Sequence, residues 1–239
     1  MRHLSSTMVL LAVMGPSMAS TSALGRVIGS STDVSLESAT GQGNAGDAGE
    51  LRRMSGIGLS VARVLQTSER WEFAPSVEAG LQMATAATLD GAEHRTAGIE
   101  MRSVRAGGRI LYRIPKSGDE PVRFFAAGAA GALWGTMLVD RSRSDYYEQY
   151  RYEGLHGRLM TAGGGILVPV VEGLKLIGEV RREIYRIDLG GVQATGDVEE
   201  VRDGATLRYP RETSPDNLGM GGTINVQVTT LSLGLLMSI

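Results

Sequence analysis

Residues 71–83 alternate with a period of two. Trp71, Phe73, Val77, Leu81 and Met83 fall on one face, and Glu72, Ser76, Glu78 and Gln82 on the other. This period belongs to a strand, because successive side chains leave a pleated backbone on opposite sides. The last residues repeat it: Thr229, Leu231, Leu233, Leu235, Met237 and Ile239 oppose Ser232, Gly234 and Ser238, with Leu236 as the exception. Termini of soluble domains usually fray. An apolar alternating strand at the end of the sequence fits a chain whose last strand closes a barrel.

Further strands are expected at 52–65, 84–90, 98–114, 121–138, 157–170 and 174–187, which brings the count to eight. In 98–114, Val104, Ile110, Tyr112 and Ile114 oppose Arg105, Arg109 and Arg113. In 174–187, Leu174, Leu176, Val180 and Ile184 oppose Lys175, Glu179, Arg181 and Glu183. No stretch holds a helical period over 11–18 residues, so the expectation is an all-β, eight-stranded antiparallel up-and-down barrel. The connections at 115–121 and 171–173 are short, whereas 139–156 and 188–217 are long and polar. Long and short connections thus tend to separate to opposite ends, although the short connection 66–70 breaks the pattern.

The N-terminus has its own signature. Arg2 and His3 precede an apolar run at 8–14, then Gly15, Pro16 and small residues through Ala23. Residues 1–23 read as a signal peptide, cleaved after Ala19 or Ala23. Residues 24–50 are rich in Gly, Ser, Thr and Ala and read as a flexible leader, which leaves 51–239 for the barrel. No later run of 18 apolar residues exists, so a membrane crossing requires a closed barrel. The chain has no cysteine, which excludes disulfides, thiolate metal sites and a cysteine nucleophile. A net charge of -2 gives no basic surface for nucleic acid.

Alternation does not say which face points outward. A soluble, calycin-like barrel in the periplasm or outside the cell would put its apolar face inside, around a small apolar ligand. The polar faces here carry both signs of charge near mid-strand. Buried charges persist when paired, so Glu72, Glu78, Arg105, Arg109, Lys175, Glu179, Arg181 and Glu183 are expected to face a filled lumen. Trp71, Phe73, Val77, Leu81, Leu231, Leu233, Leu235 and Met237 are then expected to face lipid. Trp71, Phe73, Tyr112, Phe124, Phe125 and Tyr185 lie near strand ends, where interfacial aromatic girdles belong.

The segments WEFAPSVEAG at 71–80, the Gly-rich 163–170, LKLIGEVRREIYR at 174–186 and the ending TTLSLGLLMSI resemble the OmpA-like or opacity-type outer-membrane β-barrel proteins. The resemblance covers 51–239. It implies a transmembrane barrel in the bacterial outer membrane, contact with its lipids and with the barrel-insertion machinery, and a lumen too full for a wide pore. Members usually end in Phe or another aromatic residue; this chain ends in Ile239.

Sites for chemistry are sparse. Gly56-Ile57-Gly58 lacks the third glycine and the helix of a dinucleotide loop, and Gly163-Gly164-Gly165 lacks the Lys-Ser/Thr of a phosphate loop. His3, His94 and His156 have no ligand spacing. His156 near Ser142, Ser144, Asp145 and Glu148 is the one arrangement suggestive of a rim hydrolase, and nothing in the spacing sets a nucleophile against a base. No enzyme activity, cofactor or metal is expected. Contacts with an extracellular ligand are expected, if anywhere, from the loops 140–156 and 188–217.

Overall fold

The computed structural model describes residues 29–44, 50–90, 93–114, 121–143, 146–189, 194–202, 205–213 and 222–239. The expected signal peptide lies outside these residues. The strands are β1 (Gly29–Asn44), β2 (Glu50–Gln66), β3 (Trp71–Asp90), β4 (Glu93–Arg113), β5 (Arg123–Arg143), β6 (Tyr146–Val171), β7 (Leu174–Asp188), β8 (Ala194–Arg202), β9 (Ala205–Thr213) and β10 (Thr223–Ser238). All ladders are antiparallel. β1 to β7 and β10 close a ring of eight through the β5–β6 pairing. β8 and β9 form a hairpin outside the ring, with β8 attached to 146–150 at the start of β6.

Two strand assignments are corrected. Residues 24–50 are not wholly a leader, because 29–44 is β1, laddered to β2 and to β10; the barrel begins at 29 rather than 51. Residues 84–90 are not a separate strand but the continuation of β3. The omission and the division cancel in the count of eight. β1 gives no apolar alternation because its buried face carries Asp33, Ser35 and Glu37 while Ser38 and Thr40 occupy the other. Restoring β1 also removes the anomaly of the short connection. The β2–β3, β4–β5 and β6–β7 connections all fall at the end where β1 starts and β10 finishes, here the lower end. β7 ends and β10 begins at the upper end, where β5 and β6 continue as paired strands over 139–143 and 146–156, so these residues are not a loop.

The registers fix the barrel's size. Phe124 pairs with Ile166, Ile166 with Gly178, Gly178 with Leu233, Leu233 with Ser38, Ser38 with Ile57, Ile57 with Leu81, Leu81 with Arg102, and Arg102 with Trp134. One circuit returns to β5 ten residues above its start. With ~3.3 Å per residue and ~4.8 Å between strands, that stagger tilts the strands by about 41°, inside the usual range for closed barrels. Eight strands enclose a space that side chains alone fill.

The faces change character with height. In the lower part the outer wall is apolar: Leu36, Ile110, Phe124, Val168, Leu176 and Leu233 are exposed, Leu233 by 64%. Above it the order reverses. On β4 the outward residues pass from Ile110 and Val104 to Arg102 and Glu100, while the inward ones pass from Arg109 and Arg105 to Met101 and Ile99. On β6 they pass outside from Met160 to Arg158, and the buried positions above are Leu155, Tyr152 and Tyr150. β10 carries exposed leucines below and buried Val228, Val226 and Ile224 above. At the lower rim Trp71 and Tyr112 pack with ring centroids 5.0 Å apart beside exposed Phe124. Phe125 and Tyr185, expected in the same girdle, point inward and are buried. Each is flanked in sequence by the outward residues 124 and 184, so one step along the pleat decides the difference.

Candidate functional site

The lumen is built in layers. At its lower end Glu72 lies between Arg113 (2.7 Å) and Arg123 (3.0 Å). Lys175 donates to the Ser238 hydroxyl at 2.7 Å, and that hydroxyl donates to Asp33 at 2.7 Å. An apolar layer follows, with Val64, Leu111, Phe125, Leu167, Ile177 and Leu236. Above it stands the central charged layer, and above that an apolar plug centred on Met101, Leu133, Met137, Tyr152, Leu159 and Val226.

The central layer joins four strands. Glu37 on β1 accepts from Arg109 of β4 and from Arg181 of β7, both at 2.8 Å. Arg181 also holds Glu179 through two hydrogen bonds, at 2.6 and 2.9 Å, and reaches Glu78 of β3 at 3.3 Å. Arg105 pairs with Glu78 and, at 3.2 Å, with Glu183, which also accepts from the Tyr185 hydroxyl. Arg109 lies over the Phe125 ring, 5.3 Å from its centroid. The links of Glu37 to Arg109 and Arg181, of Arg181 to Glu78 and of Arg105 to Glu183 cross between strands that are not neighbours in the sheet, which requires these side chains to meet inside the ring. The eight charged residues expected in the lumen are all buried, and seven of them belong to the networks around Glu72 and in the central layer; Lys175 sits at the lower end with Asp33. The sequence reading missed Glu37, which joins Arg109 to Arg181, because it stands in the segment taken for a leader.

Small residues make room for the long ones. Gly131 faces Arg105 and Gly163 faces Arg181 across their ladders. A Cβ at Gly131 would lie 2.1 Å from the Val104 carbonyl oxygen, and one at Gly163 would lie 2.4 Å from that of Val180. A cavity of about 30 Å³ adjoins the layer, bordered by Glu37, Ser60, Glu78, Arg105, Arg181 and Thr230. It has room for a water or two and no more.

A second polar cluster occupies the upper mouth. Glu148 is buried and accepts from Tyr146 (2.6 Å), Tyr150 (2.9 Å) and Arg141 (3.2 Å). Arg211 of β9 donates to the Tyr146 hydroxyl at 3.3 Å, tying the outer hairpin to the barrel. Burial and the Glu148 carboxylate push the Tyr146 phenol up to about 12, and the same causes raise Tyr150. Of the rim-hydrolase residues, His156 and Glu148 are not brought together: His156 is on the outer wall, 3.6 Å from Asp188, while Glu148 points into the mouth. Ser144 and Asp145 lie outside the described residues. Residues expected to face lipid are on the outer wall: Trp71, Leu231, Leu233, Leu235 and Met237 are exposed, and Phe73, Val77 and Leu81 half-exposed.

No protein-family model and no curated protein sequence matches the chain. Among solved structures it is similar to a major outer membrane protein from Thermus thermophilus, with 14% identity over 87% of this chain and 99% of that one, and a TM-score of 0.47. It is also similar to Neisserial surface protein A (13% identity, 87% and 98% covered, TM-score 0.41). A third is Ail, the attachment invasion locus protein of Yersinia pestis (13% identity, 87% and 98% covered, TM-score 0.39).

Proposed function

We propose that this chain is a transmembrane barrel of a bacterial outer membrane, with a closed lumen, that acts without catalysis through the strand pairs projecting from its upper end. The observation that carries the reading is the reversal of the alternation at the height of Arg102 and Arg158. Below that height the barrel is apolar outside and charged inside, which is stable where hydrocarbon surrounds it. Above it the barrel is apolar inside and charged outside, as in water. From Tyr112 to Arg102 is ten residues, about 25 Å along the axis at a tilt of about 41°, which matches the apolar band of outer-membrane barrels.

A soluble barrel for an apolar ligand is disfavoured by the same arrangement. Its ligand would have to enter a space already occupied by paired charges, next to a cavity of about 30 Å³. The layered lumen likewise supports a structural or interaction role over solute passage. Lipids and the insertion machinery are the partners this reading requires. Any extracellular ligand would meet β8, β9 and the upper β5–β6 hairpin, which occupy the expected segments 188–217 and 140–156.

Charge substitution tests the assignment of faces. Val77→Arg puts a cation on the lower outer wall and is expected to block insertion into lipid vesicles, since a lipid-facing arginine costs about 2–4 kcal/mol at mid-membrane. Heat-modifiable gel migration reads the inserted fraction. Normal insertion of Val77→Arg would refute the membrane reading.

A further inference from the structure

The outer wall carries a cationic cluster that the lumen does not explain. Arg158 on β6 and Arg186 on β7 stand directly opposite each other in the ladder, and both are exposed. Arg182, also exposed, lies on the same face of β7, two outward positions nearer the lower end. Like charges placed directly opposite across a ladder are destabilising. Among the described residues neither Arg158 nor Arg186 has an ion pair. Asp188 is the outward carboxylate beside them, and it stands beyond Arg186 within 3.6 Å of His156. Among the described residues, then, this pair of arginines stands without a carboxylate of its own.

The position of the cluster says what faces it. Arg158 marks the reversal, so the cluster stands at the upper border of the apolar wall. On β10 the apolar residues of the wall stop at Leu231, where Thr229 follows, and on β7 Arg182 interrupts the wall between the exposed Val180 and Ile184. An open groove of about 520 Å³ lies beside this border, lined by Thr40, Gln42, Val180, Thr229 and Leu231. Arg182 is held at its edge by donating to Thr229 (3.2 Å) and Gln227 (2.8 Å). A guanidinium has five N–H donors in a fork that suits phosphate, so donors remain on Arg182 after those two bonds.

We infer that Arg158, Arg182 and Arg186 form a docking site for the phosphate-bearing headgroup of a lipid in the leaflet at the barrel's upper end, with the headgroup entering the groove and the acyl chains lying against Val180 and Leu231. This rests on the membrane reading proposed for the chain. The phosphate supplies a countercharge to the cluster, and the polar edge that Thr229 gives the wall on β10 lets the headgroup reach Arg182.

The test is refolding of the full barrel into phosphatidylcholine vesicles with or without phosphatidic acid, followed by native mass spectrometry of the retained lipid. The wild-type chain is expected to retain phosphatidic acid in preference to phosphatidylcholine. Arg158→Gln/Arg182→Gln/Arg186→Gln is expected to weaken that retention roughly tenfold. Arg53→Gln/Arg63→Gln/Arg102→Gln removes the same charge elsewhere on the outer wall and is expected to leave it unchanged. Should the first triple variant not fold, Arg186→Gln alone is expected to reduce retention in the same direction. Equal retention by the cluster variant, equal loss in the control, or displacement of the lipid by inorganic phosphate overturns the inference. Insertion without lipid preference overturns it alone, whereas failure to insert into either vesicle overturns the membrane reading with it.

Discussion

Replacing Glu37 with leucine probes the centre of the lumen. Glu37 accepts one charged hydrogen bond from Arg109 and one from Arg181, both at 2.8 Å. Breaking a buried ion pair by removing one partner costs about 3–5 kcal/mol. The remaining contacts decide where in that range each variant falls. Arg181 keeps its two bonds to Glu179 and its contact with Glu78. Arg109 keeps Glu179 at 3.9 Å, Glu78 at 4.0 Å and the face of Phe125. The central layer also holds four carboxylates (Glu37, Glu78, Glu179, Glu183) against three guanidinium groups (Arg105, Arg109, Arg181). Loss of Glu37 brings the two signs level, whereas loss of Arg109 leaves four against two. Glu37→Leu is therefore expected to cost about 3 kcal/mol and Arg109→Leu about 5 kcal/mol. The double variant is expected to cost less than the sum, because an apolar pair replaces the ionic one. Reversible urea unfolding in lipid vesicles, followed by tryptophan fluorescence, measures all three. A Glu37→Leu cost below that of an ordinary surface change, or one exceeding that of Arg109→Leu, would refute the charge-balance reasoning.

Gly163→Val is expected to destabilise the barrel by about 1–3 kcal/mol through overpacking against the Val180 carbonyl and Arg181, read in the same urea assay. Alkaline titration should loosen the upper mouth: a phenol raised from 10.0 to about 12 keeps its stabilising effect below pH 10.0 and loses it as the pH rises through about 12. Phenolate absorbance compared between wild type and Tyr146→Phe checks this, and an unshifted Tyr146 titration would contradict it. Replacing 190–221 with a short linker is expected to leave heat-modifiable migration intact, because β8 ladders only to 146–150 of the ring.

The parts legible in the sequence are those where one environment holds along a whole strand segment. In 71–83, 174–184 and the last strand, apolar and polar residues alternate with few exceptions, such as Leu236, Ile177 and Arg182, and the faces follow. β1 is hidden because Asp33, Ser35 and Glu37 serve the lumen while Ser38 and Thr40 lie outside. With polar residues on both faces, a strand and a linker have the same composition. The upper plug is hidden for a different reason. Ile99, Met101, Tyr150 and Tyr152 continue strands whose lower inward positions are charged, so the reversal reads locally as a loss of pattern. The polar composition of 139–156 then looks like a loop, although 139–143 and 146–156 belong to paired strands with Val139, Tyr150, Tyr152 and Leu155 turned in.

The β1–β10 seam makes the chain a ring with its cut in a replaceable place. Thr32 and Ile239 exchange backbone hydrogen bonds at 2.8 and 3.3 Å, and Asp33 stands opposite Ser238. Joining the last residue to 29 through a short linker and reopening the chain at 91–92 would preserve every ladder of the barrel while changing which strands meet last. In the natural order the seam unites positions about two hundred residues apart, so ring closure awaits nearly the whole chain. The permuted order would move that final event to the β3–β4 ladder, and the insertion rate of such a chain would report how far closure of the seam governs assembly.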